Sequence, residues 1–170
     1  MAIEKSFSYG IFALIIANII FITGCIQKYS NQSQKISISY HYTTEGSYYD
    51  VRIENSKIIF THTDYAKIKE KCAQWVKQYP CWRQEDLVTE EAQLTNQEIT
   101  DLKNLIEGTK IMQLENYYGP KKGERCYPHI LKMGKKKIIY CSRPGSSSPP
   151  EAFIKVSRKI KEIVTKKFSK

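Results

Sequence analysis

Ile36-Ser37-Ile38-Ser39-Tyr40-His41-Tyr42-Thr43-Thr44-Glu45-Gly46-Ser47-Tyr48-Tyr49-Asp50-Val51-Arg52-Ile53-Glu54-Asn55-Ser56-Lys57-Ile58-Ile59-Phe60-Thr61-His62 decides the fold of this chain. Ile36, Ile38, Tyr40 and Tyr42 alternate with Ser37, Ser39 and His41, the period of two expected of a strand with one buried face. Tyr49, Val51 and Ile53 lie on one face of a second strand, and Ile58, Phe60 and His62 on one face of a third. Thr43-Thr44-Glu45-Gly46 reads as the first loop and Asn55-Ser56 as a short turn. Turning there sets Tyr40 against Tyr49, Ile38 against Val51, Ile53 against Ile58 and Val51 against Phe60. One apolar stripe then crosses all three strands, as an antiparallel meander with a single buried face requires.

Downstream the period lengthens. Residues 64–79 predict a helix with Tyr65, Ile68, Cys72, Trp75 and Val76 on one side, ended by Pro80. Asp86 to Ala92 is a candidate short strand. Thr95-Asn96-Gln97-Glu98 is a capping-box sequence opening a helix to about Ile106, with Ile99, Leu102 and Ile106 inward and Gly108 as its stop. Lys110 to Leu114 reads as a strand, and Asn116 to Glu124 as a loop around Gly119-Pro120. A hairpin follows over 126–131 and 136–141, with Lys132-Met133-Gly134-Lys135 as its loop; Pro128 marks its first strand as an edge or as lacking a partner on one side. Gly145-Ser146-Ser147-Ser148-Pro149-Pro150 is a stiff polar linker. A last helix, about 151–167, carries the stripe Phe153, Val156, Ile160, Ile163 and Val164, with Lys155, Arg158, Lys159 and Lys166 on its other side. The fold class is α+β: an antiparallel sheet of about five or six strands packed on one side against two or three helices.

Upstream of the meander, no charge occurs from Ser6 to Gln27, and the strongly apolar part runs from Ile11 to Ile22 after Lys5. This suits a signal-peptide core better than a spanning helix, which needs about 20 apolar residues. The run closes on Ile22-Thr23-Gly24-Cys25, which resembles the lipobox of bacterial lipoproteins. The resemblance covers only the first 25 residues. It implies removal of residues 1–24, diacylglycerol on the Cys25 sulfur, and stable anchoring by two or three acyl chains. Residues 25–35, polar after Ile26, then form a flexible tether, and 36–170 a single domain. The implied location is the cell envelope, on the outer face of the cytoplasmic membrane or in the outer membrane facing the periplasm; Ile26 after the cysteine leans toward the latter. The competing reading is an uncleaved single-pass anchor.

Export makes sense of the cysteines. With Cys25 acylated, Cys72, Cys81, Cys126 and Cys141 remain, an even number in an oxidising compartment. Four cysteines allow three connectivities, among which the sequence does not choose; short local loops favour Cys72–Cys81 and Cys126–Cys141, and the expected hairpin loop sets the latter two opposite each other. A four-cysteine zinc site would want C-x₂₋₄-C pairs, which are absent.

The net charge is +10, and Glu4 and Lys5 cancel, so the whole excess belongs to the exported part. A basic surface attracts anions, and export leaves anionic lipid, acidic cell-wall polymer or an envelope protein rather than nucleic acid. Lys121, Lys122 and Arg125 before the hairpin and Lys132, Lys135, Lys136 and Lys137 around its tip are the candidate anionic-ligand residues. The bland alternative is that tip lysines keep a sheet edge soluble.

Catalytic and metal motifs are missing: there is no H-E-x-x-H, G-x-S-x-G or glycine-rich phosphate loop, and no cofactor is expected. His62 reads as a buried, hydrogen-bonded core histidine, and His129, in the middle of the hairpin, is a candidate for exposure. Glu90-Glu91 reads as a solvated face rather than a glycosidase pair. Tyr40, Tyr48 and Tyr49 are candidates for stacking on sugar rings, with a core role favoured for Tyr40 and Tyr49. The expected function is a non-enzymatic binding or scaffolding module of the envelope. The alternatives are an envelope enzyme with a site the sequence does not reveal, or an exported inhibitor using the 126–141 hairpin.

Overall fold

Three strands of seven residues each form where the period of two predicts them: β1 (Ser37–Thr43), β2 (Tyr48–Glu54) and β3 (Lys57–Thr63). The structure, a computed structural model, describes residues 35–73, 80–121 and 123–169. The expected signal segment 1–24, Cys25, the tether up to 34, and Lys122 lie outside the described residues.

The β2–β3 register matches expectation: Ile53 faces Ile58 and Val51 faces Phe60 across a turn in which Asn55 is left-handed, a conformation asparagine tolerates. The β1–β2 register does not. Tyr40 faces Val51 and Ile38 faces Ile53, because the chain turns over 44–47 rather than 43–46. The correction amounts to two residues along one strand. Side chains alternate with a period of two, so the same faces stay buried.

Beyond the meander come β4 (Leu87–Gln93), β5 (Tyr117–Tyr118), β6 (Tyr127–Met133) and β7 (Lys136–Ser142). All seven strands join one sheet in the order β4-β3-β2-β1-β6-β7-β5, antiparallel except for the β5–β7 pair. This exceeds the expected five or six. The two-residue β5 falls in the segment expected to be loop, held by Ile139 N–H donating to the Asn116 carbonyl at 3.0 Å. Conversely, Lys110 to Leu114 is not a strand. Lys110 is left-handed and reverses the chain after the preceding helix. A 3-10 turn (Ile111–Gln113) then drops Ile111 into the core, its hydrogen bonds closing locally instead of on a neighbouring strand. Pro128 is not on an edge strand, since β6 lies between β1 and β7; but the β1–β6 ladder stops at His129, so proline's missing N–H costs no ladder bond on that side.

The helices are α1 (Tyr65–Ala73), α2 (Asn96–Gly108) and α3 (Glu151–Phe168). The capping box forms as read: Thr95 Oγ1 accepts from Glu98 N–H at 3.2 Å, and Glu98 accepts from Thr95 N–H at 2.8 Å. Phe153, Val156, Ile160, Ile163 and Val164 of α3 and Leu102 of α2 are buried with Ile38, Tyr40, Val51, Ile53, Ile58, Leu131 and Ile138 of the sheet. This is one core on one face of the sheet. None of the described helices is long and apolar enough to cross a membrane.

A smaller cluster lies around α1. Ile68 is buried, whereas Tyr65, expected on the same stripe, is exposed. Trp75 and Val76 lie outside the described residues. Lys71 pairs with the buried Asp86, which also accepts from Arg83 N–H at 2.7 Å. Trp82 packs edge-on against Tyr48, on the sheet face opposite the core, and donates to the Thr44 carbonyl at 3.1 Å.

Candidate functional site

Both expected disulfides are present, Cys72–Cys81 and Cys126–Cys141, each with Cα atoms 5.4 Å apart. The second pairing forms in a hairpin whose register differs from the expected one. The hairpin turns at Gly134-Lys135, so Cys141 stands opposite Pro128, and Cys126 lies just before β6. The shift is again two residues, which keeps the faces and brings Cys126 within reach. Glu45, in the β1–β2 turn, ties the two bridged segments together. Its carbonyl accepts from Cys81 N–H at 2.8 Å, and its carboxylate accepts from Arg125 and from the Tyr127 hydroxyl, both at 2.8 Å. Its own backbone N–H and the Tyr127 hydroxyl, with Arg125 adding to them, hold this carboxyl below its ordinary value.

The described residues among the seven anion-binding candidates do not form one cluster. β6 is seven residues long, about 20 Å at strand rise, and separates Arg125 at its start from the tip at Lys135. Lys136 points its ammonium at the Leu114 carbonyl, and Arg125 is engaged by Glu45. Lys121 is exposed near the Arg125 end in sequence, and Lys122 lies outside the described residues. The tip holds together: Lys132 faces Lys137 across β6–β7, and Lys135 sits in the turn between them. Lys132, Lys135 and Lys137 are exposed and have no carboxylate partner among the described residues. The 126–141 hairpin does not project as a wedge, because both its strands are flanked within the sheet.

A second constellation was not read from the sequence. One cross-strand row on the core side of the sheet runs Val88, His62, Tyr49, Tyr42, His129, Tyr140. Tyr42 stacks on Tyr49 with ring centroids 4.8 Å apart and on His129 at 5.1 Å, and His62 stacks on Phe60 at 4.4 Å. Such contacts contribute about 0.5–1.5 kcal/mol each beyond burial. Tyr40, one row inward and buried, places its hydroxyl 3.0 Å from His129 Nδ1. His129 is half-buried; burial, and then the nearby Lys161 charge, depress its pKa. His62 is hydrogen-bonded as expected but is not a core residue. Its side chain is 28% exposed, and Nε2 lies 3.3 Å from Glu90 Oε2.

Lys161 of α3 completes this group. Its ammonium stands 5.2 Å from the Tyr42 ring centroid and 5.6 Å from that of Tyr40, a cation–π arrangement. Partial desolvation lowers its pKa. Beside it opens a cleft of about 400 Å³ lined by Tyr49, Phe60, His62, Glu90, Lys161 and Phe168, among others. On the helix, Lys161 lies at i+4 from the buried Ser157 and i−3 from the buried Val164, at the border of the apolar stripe. That border position is the signal that could have singled it out from the other lysines of α3.

The remaining candidates disperse. Glu90 and Glu91 are successive residues of β4 and point to opposite faces; Glu91 pairs with Lys57 at 2.7 Å. His41 meets Asp50 at 3.2 Å on the sheet face opposite the core, with Arg52 on the other carboxylate oxygen at 2.9 Å. Of the tyrosines considered for sugar stacking, Tyr40 is in the core, Tyr48 packs on Trp82, and Tyr49 lines the cleft. No group of three or more metal-binding side chains occurs among the described residues. No family model and no curated protein matches the chain.

Proposed function

We propose that this chain is an envelope lipoprotein, anchored through lipid on Cys25, whose domain serves as a non-enzymatic binding module for an anionic envelope component. The observation that carries the binding part is the hairpin tip, where Lys132, Lys135 and Lys137 lie together without a carboxylate partner among the described residues. Three such lysines close to an anionic surface contribute about 3 kcal/mol, at about 1 kcal/mol each. The excess of +10, all of it downstream of the signal segment, acts in the same direction. The anchoring part rests on Ile22-Thr23-Gly24-Cys25 and on two disulfides that suit an oxidising compartment.

Two measurements test the halves separately. The intact mass of protein extracted from its membranes should lack residues 1–24, carry acyl chains, and gain four hydrogens on reduction. A full-length, unacylated chain would overturn the lipoprotein reading. For binding, the extracted protein in non-ionic detergent should be retained on isolated cell walls and released as salt shortens the Debye length from about 10 Å toward about 3 Å. The triple variant Lys132→Gln, Lys135→Gln, Lys137→Gln should lose that retention. Retention equal to the parent's, or indifferent to salt, would remove the tip from the function.

A further inference from the structure

We propose that the cleft between the end of α3 and the β2–β3–β4 part of the sheet binds an acidic sugar ring, with the ring on the Tyr49–Phe60–Phe168 wall and its carboxylate on the Lys161 ammonium. This site is separate from the hairpin tip. Its volume of about 400 Å³ suits a small ligand, within the roughly 300–1,000 Å³ of ordinary ligand pockets.

Three features of the lining select the ligand. Lys161 stands over the Tyr40 and Tyr42 rings and has no carboxylate partner among the described residues, so it offers a charge-assisted hydrogen bond to an incoming anion. The wall of Tyr49, Phe60, Phe168 and Val164 is apolar and mostly aromatic, suited to the C–H face of a flat ring. Glu90, Thr165 and Ser169 on the same cleft offer donors and acceptors, while both ring nitrogens of His62 are engaged by the Thr63 carbonyl and Glu90. A neutral sugar satisfies the second and third features and leaves Lys161 unanswered. An aromatic acid satisfies the first two and leaves the polar side of the cleft unused. A pyranose bearing hydroxyls and a carboxylate answers all three. Glu90, held by its contact with His62, would accept from ring hydroxyls.

The aromatic row supports the cation from beneath. Tyr42 is fixed between Tyr49 and His129, and His129 is fixed by the Tyr40 hydroxyl, so the platform under Lys161 is locked by packing before any ligand arrives. Such preorganisation limits the ordering cost of binding.

The test is titration of the full chain in detergent micelles with D-glucuronate, followed by calorimetry and by the amide resonances of Thr165 and Ser169. Saturable binding is expected, at least about tenfold tighter than for D-glucose or benzoate. Lys161→Met should lose at least about tenfold in affinity while unfolding at the parent's temperature, and Lys161→Arg should stay within a few-fold. The hairpin-tip triple variant should bind glucuronate like the parent, which separates this site from the cell-wall retention above. An oligoglucuronate that binds about tenfold tighter than the monomer assigns the ligand to a polysaccharide, and equal affinity assigns it to a free sugar acid. Failure of glucuronate to saturate the cleft, benzoate binding as tightly, or Lys161→Met binding unchanged would each overturn the proposal.

Discussion

Replacing Glu98 by glutamine should weaken the fold in a way that pH reveals. The Glu98 carboxylate closes the α2 cap by accepting from Thr95 N–H, and it receives Lys166 and Lys167 from the last turn of α3, each at 2.9 Å. It thus fastens the start of one helix to the end of another. Partial burial pushes its pKa up, but the Thr95 N–H and the two ammonium groups more than offset this and bring it down to about 2 from an ordinary 4.5. Taken alone, that displacement sets a ceiling of about 3 kcal/mol at neutral pH. The Lys166 side chain is 69% exposed, so its share is screened, whereas that of Lys167 is only 18% exposed. Glutamine keeps an acceptor for Thr95 N–H and loses only the charge, so the expected cost is about 1–2 kcal/mol at pH 7. The folded-state pKa is depressed, so this stability is complete above about pH 5 and drains away as pH falls through 4.5 toward 2. Urea unfolding of parent and variant at pH 7 and pH 3 measures it: the gap at pH 3 should be less than half that at pH 7. A double-mutant cycle with Lys167→Met should return a coupling of about 1 kcal/mol. A gap below about 0.5 kcal/mol at pH 7, or one equal at both pH values, would mean that the Glu98 charge does not fasten the two helices.

Three further outcomes follow from the packing. Gly119→Ala should cost about 1–3 kcal/mol in urea unfolding, because an added Cβ would lie 2.7 Å from Cys141 Cβ and 3.0 Å from the Cys141 carbonyl, at a φ of +151°; parent-like stability would mean that β5 moves freely against β7. Removing the Cys126–Cys141 bridge by paired serine substitution should cost slightly more than removing Cys72–Cys81, about 3 against about 2.6 kcal/mol, since their loops span 15 and 9 residues; denaturation midpoints of the two double variants check the order. Tyr40→Phe should lose about 1 kcal/mol by stripping His129 Nδ1 of its hydroxyl partner, and an unchanged midpoint would show that solvent replaces the bond.

The fold was legible wherever one face of an element is buried and the other is not. The meander and the stripe of α3 declare themselves because Ile38, Tyr40, Val51, Ile53 and Phe60, and then Phe153, Val156, Ile160 and Ile163, repeat at strand and helix periods. Registers were legible only modulo two. Alternation fixes which face a residue takes, while the turn fixes which residue it meets, and both the β1–β2 and β6–β7 turns lie further along the chain than their sequences suggested. What failed was structure made by single backbone decisions. The left-handed Lys110 turns an apparent strand into a 3-10 turn, and the two-residue β5 exists because it lies against β7, not because Tyr117-Tyr118 prefers extension.

The cleft was hidden for a different reason. Its parts come from β2, β3, β4 and α3, and each is unremarkable where it stands in the chain. Tyr42 and Tyr49 read as core alternation and His62 as a core histidine, and Lys161 is not among the cations the sequence of the last helix singles out. Only the pairing of four strands places His62, Tyr49, Tyr42 and His129 in one row, and only the docking of α3 sets an ammonium above it. The basic hairpin shows the converse. Seven cations close together in sequence look like a single patch, yet a strand of about 20 Å divides the described ones, and Glu45 and the Leu114 carbonyl engage two of them. Charge density along a chain therefore overstates the patch at the hairpin. It overlooks the cleft, where one lysine without a carboxylate partner stands over aromatic rings.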